Sequence, residues 1–292
     1  MQRELLSSRR TSRGGIVVLM RALIGFSLLS LSVGANAAEP LKPSSKWVVA
    51  YENAQCVATR NYGTADDPLF LAFRPSPLGG VMRIATLRKA RMVAPEESNA
   101  IVQFGTESAL TAPALRYSDK TSKLRLTTVT VDMAEMKARQ SASTVRVNAD
   151  GRSETFALSS VPQVLKQLDA CLVGLREHWH ISEASVAPTL QMTGLKSLPK
   201  EKAPISAYFS PDDYPTKSAD TDKQGSVTVL ILVDEQGKVA DCSVEQSAGA
   251  AGLDAMSCFK MQQKALFVPA VGMDEKPARS AVTQRITWRL MG

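Results

Sequence analysis

Two histidines and a 5% share of aromatic residues are all that 292 residues provide, and this scarcity narrows the chemistry open to the chain. His178 and His180 flank Trp179 with no third histidine elsewhere. A His-x-His pair at a helix end is read first as cationic side chains offsetting the helix dipole, and only second as a zinc or copper site. No CxxC occurs, and the spacings of the four cysteines match no zinc motif. A phosphate-binding glycine loop and a nucleophile elbow are also missing. An enzyme made from this sequence would have to rely on Asp, Glu, Ser and Lys. Its adjacent carboxylates, Asp66-Asp67 and Asp212-Asp213, precede Pro or Tyr-Pro and read as solvated turn residues. Gly79-Gly80 reads as a turn.

Clustered charge is scarce as well. The formal charge is +7, but five arginines against one glutamate lie in the first 37 residues, so the remainder carries only +3. Without a basic stripe there is no electrostatic footprint for nucleic acid. Long apolar runs reduce to residues 16–33, which Arg21 interrupts and serines dilute. Residues 23–33 followed by Ala35-Asn36-Ala37 have the order of an export signal, with cleavage expected after Ala37. Met20 with Arg21 and residues 23–33 would alone make a compact signal, so translation starting at Met20 is a second expectation. The Arg9-Arg10 pair lacks the bulky apolar residues that follow it in a twin-arginine signal. An uncleaved anchor in the membrane is the alternative to cleavage.

What is present is the composition of a folded protein, with 44% hydrophobic and 22% charged residues. Cys56, Cys171, Cys242 and Cys258 all follow the expected cleavage site, and an even count in an exported chain favours disulfides, with three pairings possible. Short β-like runs at 47–51, 56–60, 69–73, 81–87 and 101–104 are separated by Pro, Gly and Asp. Residues 124–131 alternate in β fashion. Residues 143–147 and 154–158 flank Asn148-Ala149-Asp150-Gly151, whose glycine can take the positive φ of a hairpin.

A helix is expected next, with Ser160 as N-cap and Pro162 in the first turn. Val161, Val164, Leu165, Leu168, Leu172 and Leu175 recur at helical spacing, and Cys171 lies on the same stripe, facing the sheet. Cys56, on an early strand of the same region, is its most economical partner. A bond between them would close a loop of over a hundred residues, worth about 4 to 5 kcal/mol in the chain-entropy model. Over 182–213 the periodicity fails and prolines scatter among Lys, Ser and Ala, which reads as a linker.

From Gly225 the pattern sharpens. Val227, Val229, Ile231 and Val233 alternate with Ser226, Thr228, Leu230 and Leu232 to give a strand. Asp234-Glu235-Gln236-Gly237 turns the chain, and residues 239–245 return. Residues 253–266 suit a helix opened by Asp254 and ended by Phe267-Val268-Pro269-Ala270. Val282, Gln284, Ile286, Trp288 and Leu290 then alternate with Thr283, Arg285, Thr287 and Arg289 as a final strand, giving the order β-β-α-β.

This region resembles the C-terminal domain of the TonB family. The resemblance rests on Tyr214-Pro215, Gly225 with Val227 and Val229, and Asp234 with Gly237 and Val239. It continues through Leu253-Asp254, Phe267 with Pro269-Ala270, Gly272, and Ile286-Thr287-Trp288-Arg289-Leu290. Cys242 and Cys258 fit a branch of that family with one cysteine on the second strand and one on the helix, which implies their closure. The resemblance also implies binding by strand addition, in which an extended peptide of an outer-membrane receptor docks at the sheet edge. The matching edge here is residues 282–290, with Tyr214 and Pro215 beside it. Because strand addition uses the backbone, the side chains of Tyr214, Ile286 and Trp288 are read first as packing residues. The long Pro-Lys and Pro-Glu spacer of the energy transducers is missing, and a folded region stands in its place.

The expected fold is α+β, with a signal segment at 1–37, a β-rich amino-terminal domain with one closing helix at 38–181, a linker at 182–213 and a TonB-like domain at 214–292. The expected role is that of a periplasmic, non-enzymatic protein-binding or scaffold protein without cofactor or metal, its partner a cell-envelope protein such as an outer-membrane receptor. The alternatives are an inner-membrane-anchored transducer facing the periplasm, which would be the only membrane association, and a hydrolytic enzyme in the amino-terminal domain.

Overall fold

A computed structural model describes residues 39–52, 54–91, 93–118, 124–149 and 151–290. The signal segment with its cleavage point, the start at Met20 and Asp150 of the hairpin turn lie outside the described residues. Nine strands make the amino-terminal half: β1 (Val48–Glu52), β2 (Gln55–Asn61), β3 (Leu69–Pro75), β4 (Val81–Lys89), β5 (Glu96–Phe104), β6 (Leu110–Ser118), β7 (Leu124–Asp132), β8 (Thr144–Ala149) and β9 (Arg152–Ala157). They form one antiparallel sheet in the order β1-β2-β3-β4-β7-β6-β5-β8-β9. A short helix, α1 (Met133–Ala138), joins β7 to β8.

Strand β6 and helix α1 have no counterpart in the sequence expectations. Pro113 sits in the middle of β6, opposite Asn99. Proline gives up a ladder donor and normally marks an edge, so an interior strand is disguised there. The tight turn after β8 is present, with Gly151 at φ 72°.

On one face of the sheet Phe73, Met82, Ile84, Val102, Phe104, Val129, Val145 and Phe156 are buried. Helix α2 (Val161–His178) closes that face with Val164, Leu165, Leu168, Leu172 and Leu175, and the two sets form a single core. Ser160 does not cap α2 as expected: it stands at φ 61° and its side chain makes no cap bond. A capping side chain needs an extended backbone to reach the first free N–H groups, and the left-handed conformation removes that geometry.

The carboxyl-terminal half contains β10 (Leu195–Ser197), β11 (Lys200–Glu201), α3 (Thr216–Asp220), β12 (Gly225–Val233), β13 (Val239–Gln246), α4 (Ala251–Lys264), β14 (Phe267–Val268), β15 (Ala270–Gly272), β16 (Pro277–Ala278) and β17 (Ser280–Trp288). Its main sheet has the order β13-β12-β17, all antiparallel. Two small sheets, β10-β15-β16 and β11-β14, tie the stretch 182–213 into this half. That stretch also carries two 3-10 turns, Ile205–Tyr208 and Pro211–Asp213, and Tyr208 is buried. Helix α4 ends at Lys264, before Phe267 pairs as β14, so the chain has already turned extended when it reaches Pro269.

Strand β12 is buried on both faces. Val227, Val229, Ile231 and Val233 share a core with Leu253, Cys258 and Met261 of α4. Leu230 and Leu232, with Ala281 of β17, belong instead to the core of the nine-stranded half. The uninterrupted apolar run 229–233 has this cause, since a strand covered on both sides has no face left for polar residues. The described residues thus fold as one compact unit, in an α+β arrangement of a large β-rich half with a closing helix and a small β-β-α-β half.

Candidate functional site

Strand β17 pairs along its whole length with β12, from Gly225 opposite Trp288 to Val233 opposite Ser280. It is the last strand of its sheet, and among the described residues no backbone hydrogen bond reaches its outer side. Its side chains alternate. Arg285 and Thr287 are exposed, Val282, Thr283 and Gln284 are half-buried, and Ile286 and Trp288 are buried against α4. The expected edge ran through Arg289 and Leu290, but the strand stops at Trp288. The backbone N–H of Leu290 instead donates to the side-chain oxygen of Gln224, 3.1 Å away.

Trp288 is anchored, not presented. Its Nε1–H donates to the buried Ser257 hydroxyl at 2.9 Å, and the rings of Phe209 and Tyr214 meet it edge-on. The Tyr214 hydroxyl donates to the carbonyl of Lys223 at 2.5 Å, and burial raises its pKa. Pro215 stands at the N-cap of α3. Tyr214 therefore joins the end of β17 to the opening of a cleft between the two halves, which Pro215 also lines.

This cleft encloses about 980 Å³. One wall is the outer face of the nine-stranded sheet, with Arg74, Arg83, Leu115, Tyr117, Thr128 and Thr130. The other is α3, α4 and β13, with Asp241, the Cys242–Cys258 disulfide, Met256 and the half-exposed Phe259. Arg74 and Arg83 are directly opposed on β3 and β4. Like charges in that position destabilise a sheet, and β13 answers one of them: Asp241 pairs with Arg74 at 2.6 Å. Burial, then the neighbouring Arg74, lowers the pKa of Arg83.

Glu97 and Glu245, with the Asp241–Arg74 pair, bond across the two halves. Glu97 of β5 accepts the N–H of Gly252 at 2.7 Å and the Ser218 hydroxyl at 2.5 Å, so it caps α4, whose own N-cap, Ala250, has no side chain to do so. Glu245 of β13 accepts the N–H of Leu78 at 3.1 Å and of Gly80 at 3.4 Å from the turn between β3 and β4. Burial pushes its pKa up to about 7. Asp254 accepts the Ser247 hydroxyl and the N–H of Ala248, and burial pushes its pKa up to about 6. Neither Glu97 nor Glu245 is legible as functional in the sequence. The alternation of β13 puts Glu245 opposite Val244 in facing, on a side that looks solvent-exposed until the other half covers it.

Both disulfides link a strand to a helix. Cys56 of β2 is bonded to Cys171 of α2, and Cys242 of β13 to Cys258 of α4, with Cα separations of 6.0 and 5.3 Å. His178 lies against the guanidinium of Arg279, and burial and that charge lower its pKa. Among the described residues no group of three or more His, Cys, Asp or Glu could hold a metal ion. Of the paired carboxylates, Asp66 and Asp67 are exposed, whereas Asp213 is not a solvated turn residue. It caps the 3-10 turn through the N–H of Ser210 at 2.8 Å and pairs with Lys260, which holds its carboxyl below the ordinary range.

Comparison with known proteins agrees with this geometry at the carboxyl-terminal end. Neither the curated proteins nor the solved structures give a significant match. Residues 210–290 match the family described as Gram-negative bacterial TonB protein C-terminal, and these are the residues that build β12, β13, α4 and β17. Residues 210–290 therefore form a domain of the TonB C-terminal family.

Proposed function

We propose that the chain is an exported, non-catalytic protein of the Gram-negative envelope that binds a protein partner by adding an extended segment of that partner to the outer edge of β17. One observation carries this reading: β17 is nine residues long, and its outer backbone edge has no partner among the described residues. An open edge of that length offers a row of N–H and C=O groups to another chain, which gives affinity without demanding particular side chains. The burial of Ile286 and Trp288 supports the same reading, because it fixes the edge in place. The core contacts of Leu230, Leu232 and Ala281 favour a rigid binding unit, in which the nine-stranded half supports the docking sheet.

The test is photo-crosslinking from exposed Arg285 and Thr287 in cells, with exposed Val173 of α2 as the control position. Adducts with an outer-membrane or periplasmic protein from β17 alone are the expected result. An absence of adducts from both β17 positions overturns the reading. Fractionation with amino-terminal sequencing accompanies it: a released chain beginning at Ala38 agrees with an exported binding protein, and retention of residues 23–33 in the inner membrane favours a transducer.

A further inference from the structure

On the core-side face of the nine-stranded sheet, apolar side chains give way to arginines toward one end of the strands. Along β4 the face runs Met82, Ile84, Thr86, Arg88, and along β7 it runs Val131, Val129, Thr127, Arg125. Arg88 and Arg125 are directly opposed, and so are Arg116 of β6 and Thr127. Arg152, at the start of β9, completes the set. All four arginines, with Thr86, Thr127 and Glu154, line one recess.

Four guanidinium groups in one place repel each other, and only part of that repulsion is answered. Glu154 takes Arg88 at 2.5 Å, and Glu96 takes Arg116. Arg125 and Arg152 have no carboxylate within ion-pair distance among the described residues. Burial, and then Arg152, Arg88 and Arg116, lower the pKa of Arg125, which is the mark of a cation held beside cations. Such an arrangement costs stability unless an anion shares it.

We infer that this recess binds a phosphate group, with Arg125 and Arg152 as its principal donors and the Thr127 hydroxyl beside them. The free groups are donors, since both carboxylates are engaged, so the ligand must supply acceptors only. Guanidinium forks match the paired oxygens of a phosphate. A phosphate dianion offers each of the two guanidinium groups an acceptor oxygen and carries about twice the charge of a single carboxylate. The recess itself holds about 20 Å³, roughly the room of one water, so the phosphate seats at its open mouth, where Arg152 is exposed, and any larger remainder stays in solvent. Free phosphate and a phosphorylated lipid headgroup share this chemistry.

Titration of the purified full chain in chloride buffer separates the two sources. The probes are inorganic phosphate, followed by calorimetry, and vesicles of phosphatidylcholine with or without phosphatidic acid, followed by co-sedimentation. Saturable binding of inorganic phosphate, weakened at least tenfold by the double substitution Arg125→Gln and Arg152→Gln, supports the site with free phosphate as ligand. Binding confined to the phosphatidic acid vesicles, and lost in the same variant, supports it with a headgroup as ligand. No saturable binding of either probe, or binding unchanged in the double variant, overturns the inference. The double variant relieves repulsion and is expected to melt no lower than the parent. Should it fail to fold, Arg125→Lys with Arg152→Lys keeps the charge, loses the forks, and must still weaken binding.

Discussion

The carboxylate of Glu245 on β13 accepts the backbone N–H of Leu78, 3.1 Å away, so a strand of the TonB-type half is bonded to a turn of the nine-stranded half. Burial raises the pKa of this group from 4.5 to about 7, so the folded chain holds the proton more tightly than the unfolded one. The sign follows from that difference. The contribution is most favourable below pH 4.5, falls as the pH rises through the window from 4.5 to 7, and is level above it. Its size is about 3 kcal/mol. Asp254 acts in the same direction, so the Glu245 part is isolated by Glu245→Gln. Urea unfolding should show the variant gaining roughly 3 kcal/mol on the parent between pH 4.5 and 7.5. Parallel profiles would show that Glu245 is not buried in the junction.

The two disulfides close loops of different length, 115 and 16 residues apart in sequence. In the chain-entropy model, removing Cys56–Cys171 by paired alanine substitution costs about 4 to 5 kcal/mol, and removing Cys242–Cys258 about 3 kcal/mol. Denaturant midpoints check the order. Peptide mapping without reduction checks the pairing, and a Cys171–Cys242 link would contradict the structure.

Much of this architecture is legible in the sequence because it depends on local periodicity. The stripe from Val164 to Leu175 predicts α2, and the alternation around Val227 and Ile286 predicts the sheet of the smaller half. Placing Cys171 on the apolar stripe points it at the sheet and so toward Cys56. The junction is not legible, because its pairs are far apart in sequence. Glu97 caps a helix that begins 154 residues later, at Ala251, and no local pattern announces a cap supplied by another half of the fold. Pro113 hides β6 by breaking the propensity rule for interior strands. The arginines of the recess occupy four strands, and only the register brings them together.

Two glycines should respond in opposite directions to the same substitution. A Cβ at Gly80 would stand 2.3 Å from the carbonyl oxygen of Glu245 and 2.8 Å from the Cβ of Ala187. Backbone cannot give way cheaply there, so Gly80→Ala should force the junction apart and destabilise by roughly 1 to 3 kcal/mol. Gly174, inside α2, has nothing within 4 Å of its added Cβ. Gly174→Ala should therefore stabilise by about 0.5 to 1 kcal/mol through helix propensity and a less flexible unfolded chain. Thermal melts of the two variants beside the parent decide the matter, and equal shifts would argue against the close contact at Gly80.

Trp288 separates docking by backbone from docking by side chain. Its ring is packed under α4 beside Phe209 and Tyr214, and its Nε1–H donates to the buried Ser257 hydroxyl. Trp288→Phe keeps most of the packing but leaves that hydroxyl without its donor, which should cost about 1 to 3 kcal/mol. Trp288→Ala opens a cavity and should cost about 3 to 5 kcal/mol. If the partner binds the outer backbone of β17, Trp288→Phe should leave its affinity within about twofold of the parent at a temperature where both are folded, a change of under ~0.5 kcal/mol. A tenfold or greater loss of affinity in the folded Trp288→Phe variant would instead mean that the indole itself is read by the partner, and that the buried position found here opens on binding.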